Sequence, residues 1–271
     1  MRFSIGLCLI FVLLASASAL GCTGVVISGE ETVVVGVNED WYRSDAYVWA
    51  TKAFAGLHAA VYFGYLVDGE FGEGMAPFWY DFQGINDAGL FFDSFSAPCG
   101  IEENESEKRP FSGSIERLIM QTCSTVEDAV HVMTQYDRSY MDCMQYLLVD
   151  RTGAAAVVEA GAVVWKDDDV LALTNFHLSD PTHGYFPCER YDRATRLLAE
   201  DDEVSVSNVA AILNAAHVPS TCYSLVCDLG SDCLAIYRTA NYLRSHEIDL
   251  KQLWSEGSDR VPLSSFEYTR N

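Results

Sequence analysis

Two runs after residue 21, residues 23–28 and 32–37, are apolar at nearly every position. A strand with apolar residues on both alternating faces is covered on both sides, so these runs are expected to be buried strands. Gly29-Glu30-Glu31 between them supplies a turn, and the pair reads as a β-hairpin. Residues 48–54 and 59–67 add strand candidates. Gly84-Ile85-Asn86-Asp87-Ala88-Gly89 reads as a turn leading into an apolar run at 90–95. Residues 100–113 are mostly polar and read as a surface loop. The period then changes: Ile115, Leu118, Ile119 and Cys123 have helical spacing. Ser124-Thr125-Val126-Glu127 reads as a capping box opening a helix to about Tyr136. Short strands are expected at 146–149, 154–159, 162–165 and 170–174, helices at 189–198 and 206–217, the second capped by Ser205. Strands at 222–229 and 233–237 flank Gly230-Ser231-Asp232, and 242–253 is a helix or a strand. Strands, helices, strands, helices, strands in that order suit an α+β fold. The expected form is two antiparallel sheets packed together with helices outside, a four-layer αββα sandwich.

Residues 1–21 follow a different rule. Arg2 is followed by an uncharged apolar run at 5–15, well short of the roughly 20 residues of a membrane-spanning helix. Small residues come next, with Ala19 and Gly21 third-last and last before Cys22. This is the pattern of a secretory signal cleaved before Cys22, which leaves one catalytic domain at 22–271 and a secreted or extracytoplasmic location. Two other readings stay open. The segment 3–21 carries no charge and could remain as an anchor. A bacterial lipoprotein signal also ends in Gly-Cys, although Ala19 stands where such signals usually have Leu.

Composition narrows the function. At 49% hydrophobic and 21% charged, the chain can bury a full core and is not disordered. Seventeen Lys and Arg against 39 Asp and Glu give a net charge of -22, which repels phosphate backbones and excludes nucleic acid as a partner. There are nine cysteines, an odd number. Loss of Cys8 with the signal leaves eight, and setting Cys22 apart leaves at least one more unpaired. Cys222, Cys227 and Cys233 match no zinc spacing and read as core or disulfide residues. The six histidines show no metal spacing, and His177 and His183 read as loop residues. Asn104-Glu105-Ser106 is a glycosylation sequon.

Cleavage before Cys22 would put a thiol and a free α-amine on one residue. An α-amine has a pKa near about 7.7–8.0 and can act as a general base without histidine. The thiol is an intrinsically strong nucleophile. What remains to be supplied is a group to orient the amine and donors for an oxyanion. A turn centred on residue 30 would pair Cys22 with Asn38 and leave Asp40 just beyond the strand end, where its carboxylate could accept from the amine. A one-residue slip would reverse the faces.

Cys22-Thr23-Gly24 followed by Gly36-Val37-Asn38-Glu39-Asp40-Trp41 resembles the opening of the choloylglycine hydrolase group, the branch of N-terminal nucleophile (Ntn) hydrolases with bile salt hydrolases and penicillin V acylases. The resemblance continues at residues 84–90, Leu173-Thr174-Asn175, Glu189-Arg190-Tyr191 and 221–229. It implies an Ntn-hydrolase fold with Cys22 as nucleophile and its amine as base. Asp40 would orient the amine, Asn175 would donate to the oxyanion, and Arg190 would stabilise charge around Cys22 and Asp40. Ser96 falls at a substrate-side position where relatives carry larger polar residues. One departure stands out: Val37 occupies the position of the group's usual Arg, with Arg43 nearby in sequence. The chain is also short between Arg190 and Thr221, which argues against a conjugated bile salt as substrate. The expected function is hydrolysis of a linear amide C–N bond of a small N-acyl substrate through a Cys22 thioester, with no metal or organic cofactor. Acyl transfer to an amine is chemically close. The rival readings are a lipidated surface binding protein and an inactive homologue. Oligomeric state stays open, a homo-oligomer included.

Overall fold

The computed structural model describes residues 21–68, 78–99, 108–138, 141, 143–182 and 186–270. Residues 1–20 of the segment read as a signal, the sequon at Asn104 and His183 lie outside the described residues. The first half of the chain contains β1 (Thr23–Ser28), β2 (Val33–Asp40), β3 (Tyr47–Thr51), β4 (Ala60–Val67), β5 (Phe78–Asn86) and β6 (Phe91–Ser96). Then come β7 (Arg109–Pro110), α1 (Ile115–Thr122), α2 (Val126–Thr134) and β8 (Tyr136–Asp137). The second half contains β9 (Met144–Val149), β10 (Ala155–Glu159), β11 (Val163–Trp165), β12 (Val170–Leu173), α3 (Glu189–Glu200) and α4 (Val206–Ala216). Last are β13 (Thr221–Asp228), β14 (Cys233–Arg238), β15 (Arg244–Asp249), α5 (Leu250–Glu256), β16 (Ser258–Pro262) and β17 (Thr269–Arg270).

These strands form two large antiparallel sheets. One runs β12-β1-β2-β13-β14-β15-β17, the other β11-β10-β9-β6-β5-β4-β3-β16. Val26, Val35 and Leu225 of the first sheet meet Phe63, Phe95 and Leu147 of the second in an apolar layer between them. On the outer face of the first sheet, Val25, Ile27 and Val34 pack against Ala194 and Leu198 of α3 and Val209 and Leu213 of α4. On the outer face of the second, Tyr62, Phe92 and Leu148 pack against Ile119 of α1 and Ala129 and Met133 of α2. Each buried side chain of this size contributes about 1.5–3 kcal/mol by leaving water. The result is the expected αββα sandwich. A double covering explains why β1 and β2 are apolar at consecutive positions.

Local expectations needed correcting at three places, and two open alternatives are decided. The first hairpin turns over Gly29 to Thr32, closed by Gly29 N–H donating to the Thr32 carbonyl at 2.9 Å. Thr32 Oγ1 is tied to the Asp228 carboxylate of the neighbouring hairpin. Thr23 therefore pairs with Asn38, one step from the expected register, and Asp40 is the last residue of β2 rather than a residue beyond it. Strand β5, whose early positions mix aromatic and polar residues, precedes the turn that pattern alone identified, so Gly84-Ile85-Asn86 belong to the strand. Gly89, at φ 84°, closes the turn itself. The N-cap of α2 is Thr125, accepting from Asp128 N–H, whereas the Ser124 hydroxyl bonds His58. The segment read as a helix or a strand is both, β15 followed by α5, and β16 then pairs with β3. Cys222, Cys227 and Cys233 are unbonded, and the disulfide among the described residues joins Cys99 to Cys143.

Candidate active site

The end of the β1–β2 hairpin carries two polar clusters, one on each face. Alternation along β2 sends Val33, Val35, Val37 and Glu39 into the layer between the sheets and Asn38 and Asp40 toward α3 and α4. The observed register carries Cys22 opposite Glu39, not Asn38, so the thiol also points between the sheets.

On the outer side, Arg190 is the hub. It sits in the first turn of α3 on the same stripe as Ala194 and Leu198, and is 9% exposed. Its Nη1 donates to the Gly21 carbonyl at 2.5 Å, to the Cys22 carbonyl, and to Thr23 Oγ1 at 3.3 Å. Its Nη2 donates to Asn175 Oδ1 at 3.0 Å. The same guanidinium lies 3.6 Å from Asp40 Oδ2. Asn175 reaches this point because β12 pairs with β1, Leu173 opposite Gly24, and the chain leaves the strand beside Cys22. Asn175 Nδ2 donates to the Ser96 carbonyl at 2.7 Å. Ser96 thus holds Asn175 through its main chain, while its own side chain is exposed at the end of β6.

Asp40 is fully buried. Its Oδ1 accepts from Thr221 Oγ1 at 2.5 Å, and its Oδ2 has no hydrogen-bond partner. Burial raises its carboxyl to about 7, against the opposing pull of Thr221 and Arg190. A buried acceptor without a hydrogen-bond donor is costly; the Arg190 guanidinium 3.6 Å away compensates Oδ2 by charge alone and leaves room for an N–H. Asn38, the neighbour on this face, is fully paired: Nδ2 donates to the Leu213 carbonyl at 3.0 Å, and Oδ1 accepts from Ser224 and Tyr242. It anchors β2 to α4 and β13.

On the inner side, Cys22 Sγ contacts Glu39 Oε2 at 3.5 Å. Gln83 Nε2 donates to the same oxygen at 3.0 Å, and Tyr223 OH donates to Gln83 Oε1 at 2.6 Å. Asp93, from β6, completes the group; its carboxylate is buried with the Gln83 amide and the Ser94 N–H beside it but no close hydrogen bond. Burial first, and then the neighbouring carboxyls Glu39, Asp93 and Asp40, push the Cys22 thiol well above its ordinary range. Burial likewise raises Glu39 to about 8 and lifts Asp93. With Gly21 attached, the thiol is held protonated.

Val37 lies in the inter-sheet core, two residues from Glu39 on the same face. Arg43 does not substitute for the missing arginine: its guanidinium bonds Asp45 and the Leu66 carbonyl. An aromatic wall of Trp41, Tyr65, Tyr80 and Phe82 packs against the layer that holds Cys22, with ring centroids 4.4 to 6.1 Å apart. Gly21 lies close against the site: a Cβ there would overlap the Asn175 amide and the Arg190 guanidinium unless those side chains moved. Among the described residues, no group of three or more His, Cys, Asp or Glu side chains converges as metal ligands do.

The family model described as acyl-coenzyme A:6-aminopenicillanic acid acyl-transferase matches residues 77–242, more than half of the chain. The chain belongs to this family. Comparison with curated proteins gives no match. Among solved structures, a variant of conjugated bile acid hydrolase from Clostridium perfringens aligns at TM-score 0.63 and 14% identity, covering 92% of this chain and 98% of that one. A second variant of the same hydrolase aligns at TM-score 0.65 and 14% identity, covering 92% and 97%. At that identity the likeness is one of fold. The expected grouping, an Ntn hydrolase of the choloylglycine hydrolase type, stands on the family match and the shared fold together.

The structure brings Cys22, Asp40, Asn175 and Arg190 together and attaches Ser96 through its carbonyl. Reading the sequence missed Glu39, Gln83, Asp93, Thr221 and Tyr223 as members of the site. A signal was present for two of them: Asp93 interrupts Phe91-Phe92 and Phe95, and Glu39 ends an apolar strand. Polar residues inside such runs are buried only with a purpose.

Proposed function

We propose that this chain is a secreted cysteine Ntn hydrolase that cleaves the linear amide bond of an N-acyl substrate through a Cys22 thioester. The observation that carries the reading is the Arg190 guanidinium, which joins the Gly21 and Cys22 carbonyls to Asn175 and lies beside Asp40. The Gly21–Cys22 peptide is itself a linear amide, and its carbonyl lies among the groups that would hold a substrate carbonyl. Release of residues 1–21 frees that space and creates an ammonium at Cys22, for which Asp40 Oδ2, without a close hydrogen bond, is a ready acceptor. In its neutral form the amine takes the Sγ proton as sulfur attacks the substrate carbonyl carbon and the carbonyl electron pair moves to oxygen; the resulting ammonium protonates the departing nitrogen as the C–N bond breaks, and water then hydrolyses the thioester. The second N–H of the Asn175 amide, the one not used by Ser96, is available to that oxyanion. The aromatic wall suits an apolar acyl group, and no cofactor is called for.

The test begins with intact mass and amino-terminal sequencing of the protein recovered from the growth medium. A start at unmodified Cys22 is expected. A diacylglyceryl adduct on Cys22 would instead make the chain a lipidated surface protein, and any other start removes the mechanism. Wild type and Cys22→Ala are then assayed on a panel of N-acyl amides, with turnover and a thioester adduct expected only for wild type. The family description favours a second outcome, transfer of the acyl group to an amine. Added amine acceptors distinguish the two: hydrolysis gives only the free acid, while transfer gives a new amide.

A further inference from the structure

Asn175 is held at its head, where Arg190 donates to its oxygen and the Ser96 carbonyl accepts from its nitrogen. Neither contact fixes its root. The main chain leaves the β12 ladder after Leu173, and Asn175 stands on the segment that follows. We propose that Glu159, with Gln145 opposite it, is a positioning residue that fixes this segment and so aims the Asn175 amide at the oxyanion. The proposal deepens the reading of Asn175 as an oxyanion donor and rests on it.

Glu159 on β10 and Gln145 on β9 are directly paired. Alternation along the two strands puts them on the face of Val157 and Leu147, toward the first sheet. Both are fully buried. They reach across the layer to the main chain on either side of Asn175. Gln145 Nε2 donates to the Thr174 carbonyl at 2.5 Å and to the Phe176 carbonyl at 3.3 Å. Glu159 Oε1 accepts from Leu178 N–H at 2.6 Å and Ser179 N–H at 3.4 Å, and Oε2 accepts from the Ser179 hydroxyl. His177, between these ties, is fully buried. Its Nε2 lies 3.0 Å from the Pro98 carbonyl, which can only accept, so that nitrogen carries a proton. Its Nδ1 faces Glu159 Oε2 at 3.7 Å. The stretch holding Ser96 and Pro98 is tied down in turn, by Ala97 N–H donating to the Cys143 carbonyl at 2.8 Å and by the Cys99–Cys143 disulfide.

A carboxyl group is costly at full burial. Ala155 and Val157, on the same face of β10, show what packing alone uses there. Glu159 gathers three donors of one segment at a fixed point, which an apolar side chain cannot do. The group so fixed is one whose value depends on place. An oxyanion donor must stand about 2.7–3.1 Å from the developing charge. Misplacement by about 1 Å costs on the order of 100-fold in rate.

The test uses the mature enzyme. Glu159→Ala releases the three donors and is expected to lower kcat by about 10- to 100-fold with KM within about threefold. Glu159→Gln keeps an acceptor for Leu178 N–H and is expected to stay within about fivefold of wild type. A general loosening would slow the enzyme whether or not Asn175 is present. Glu159→Ala is therefore repeated in Asn175→Ala, where its further effect on kcat is expected to be within about threefold. A second readout needs no substrate. The side-chain amide of Asn175 is identified by NMR as the pair of signals lost in Asn175→Ala. It is expected to shift or broaden in Glu159→Ala and to return toward its wild-type position in Glu159→Gln. Iodoacetamide alkylation of Cys22 forms no oxyanion, and its rate is expected to stay within about twofold in every variant. Unchanged kcat in Glu159→Ala, an equal loss with and without Asn175, or an unmoved Asn175 amide overturns the proposal. So does slowed alkylation, the mark of a site disturbed as a whole. If Glu159→Ala does not fold, Gln145→Leu, which frees the Thr174 and Phe176 carbonyls, carries the same cycle and the same amide readout. If wild type turns over no amide, the functional reading fails, and the Asn175 amide signals alone decide whether Glu159 positions that side chain.

Discussion

Two polar clusters in this chain look alike as sets of residues and differ in how they are paired. At the junction of α1 and α2, His58 Nδ1 bonds Asp87 at 2.6 Å and His58 Nε2 bonds Ser124 Oγ at 3.0 Å, the composition of a serine-hydrolase triad. Beside it, Asn86 donates to the Met120 and Cys123 carbonyls and accepts from Leu90 N–H. These bonds close the β5–β6 turn and tie it and the β3–β4 connection to the ends of α1 and α2, and Ser124 is exposed. At the hairpin end, by contrast, Asp40 Oδ2 is buried with a guanidinium at 3.6 Å but no close hydrogen bond, the Asp93 carboxylate is buried with only loose contacts, and Glu39 faces a thiol. Saturated hydrogen bonding marks a structural tie. Buried polar atoms left open mark a place that the fold holds ready at a cost in stability.

The largest effect separates the clusters directly. Cys22→Ala is expected to lower turnover of any accepted N-acyl amide by at least about 1000-fold, whereas Ser124→Ala leaves kcat within about twofold. A serine-dependent loss would invert the assignment. Next, Asn175→Ala is expected to lower kcat by about 100- to 1000-fold, the usual effect of losing an oxyanion donor, together with a loss of about 1–3 kcal/mol from the Ser96 carbonyl and Arg190 it leaves unpaired. Asn86→Ala should affect stability alone. It orphans three backbone groups and costs about 2–3 kcal/mol in urea unfolding while kcat stays near wild type. A smaller effect comes from Thr221→Val, which removes a hydrogen bond that favours ionised Asp40. Ionised Asp40 is lost as pH falls through about 7. The variant should therefore move the acid limb of the kcat/KM profile upward by roughly half a unit to one unit.

The smallest effect is on stability. Glu39 binds its proton more tightly folded, at about 8, than unfolded. Its burial is harmless below the ordinary carboxyl range and becomes destabilising as pH rises toward 8. Glu39→Gln removes that penalty. Its melting temperature should exceed that of wild type at pH 8, the difference shrinking to nothing near pH 4. An equal offset at both pH values would mean that packing, not charge, separates the proteins.

Much of this architecture was legible along the chain. Apolar residues on both faces of β1 and β2 required two covering layers, and the change from strand to helix period placed the helices of both outer layers. Asp40, Asn175 and Arg190 could be singled out because each sits in a recognisable motif. Glu39 stood inside such a motif too, but its contact with the thiol depended on which way it faced. That was decided by a turn of four residues closed by Gly29 and Thr32, and by Asp228 of another hairpin holding Thr32. Gln83, Asp93 and Tyr223 come from three other strands and meet the thiol only once the sheets are stacked.

The sequence by itself therefore determined the layers, the order of elements and most residue types of the candidate site, because hydrophobic period and local motifs are properties of neighbouring residues. Only the tertiary structure decided what surrounds the sulfur. Side chains alternate at every residue of a strand, so a shift of one position, set by contacts nearly two hundred residues away, exchanges Asn38 for Glu39 opposite Cys22.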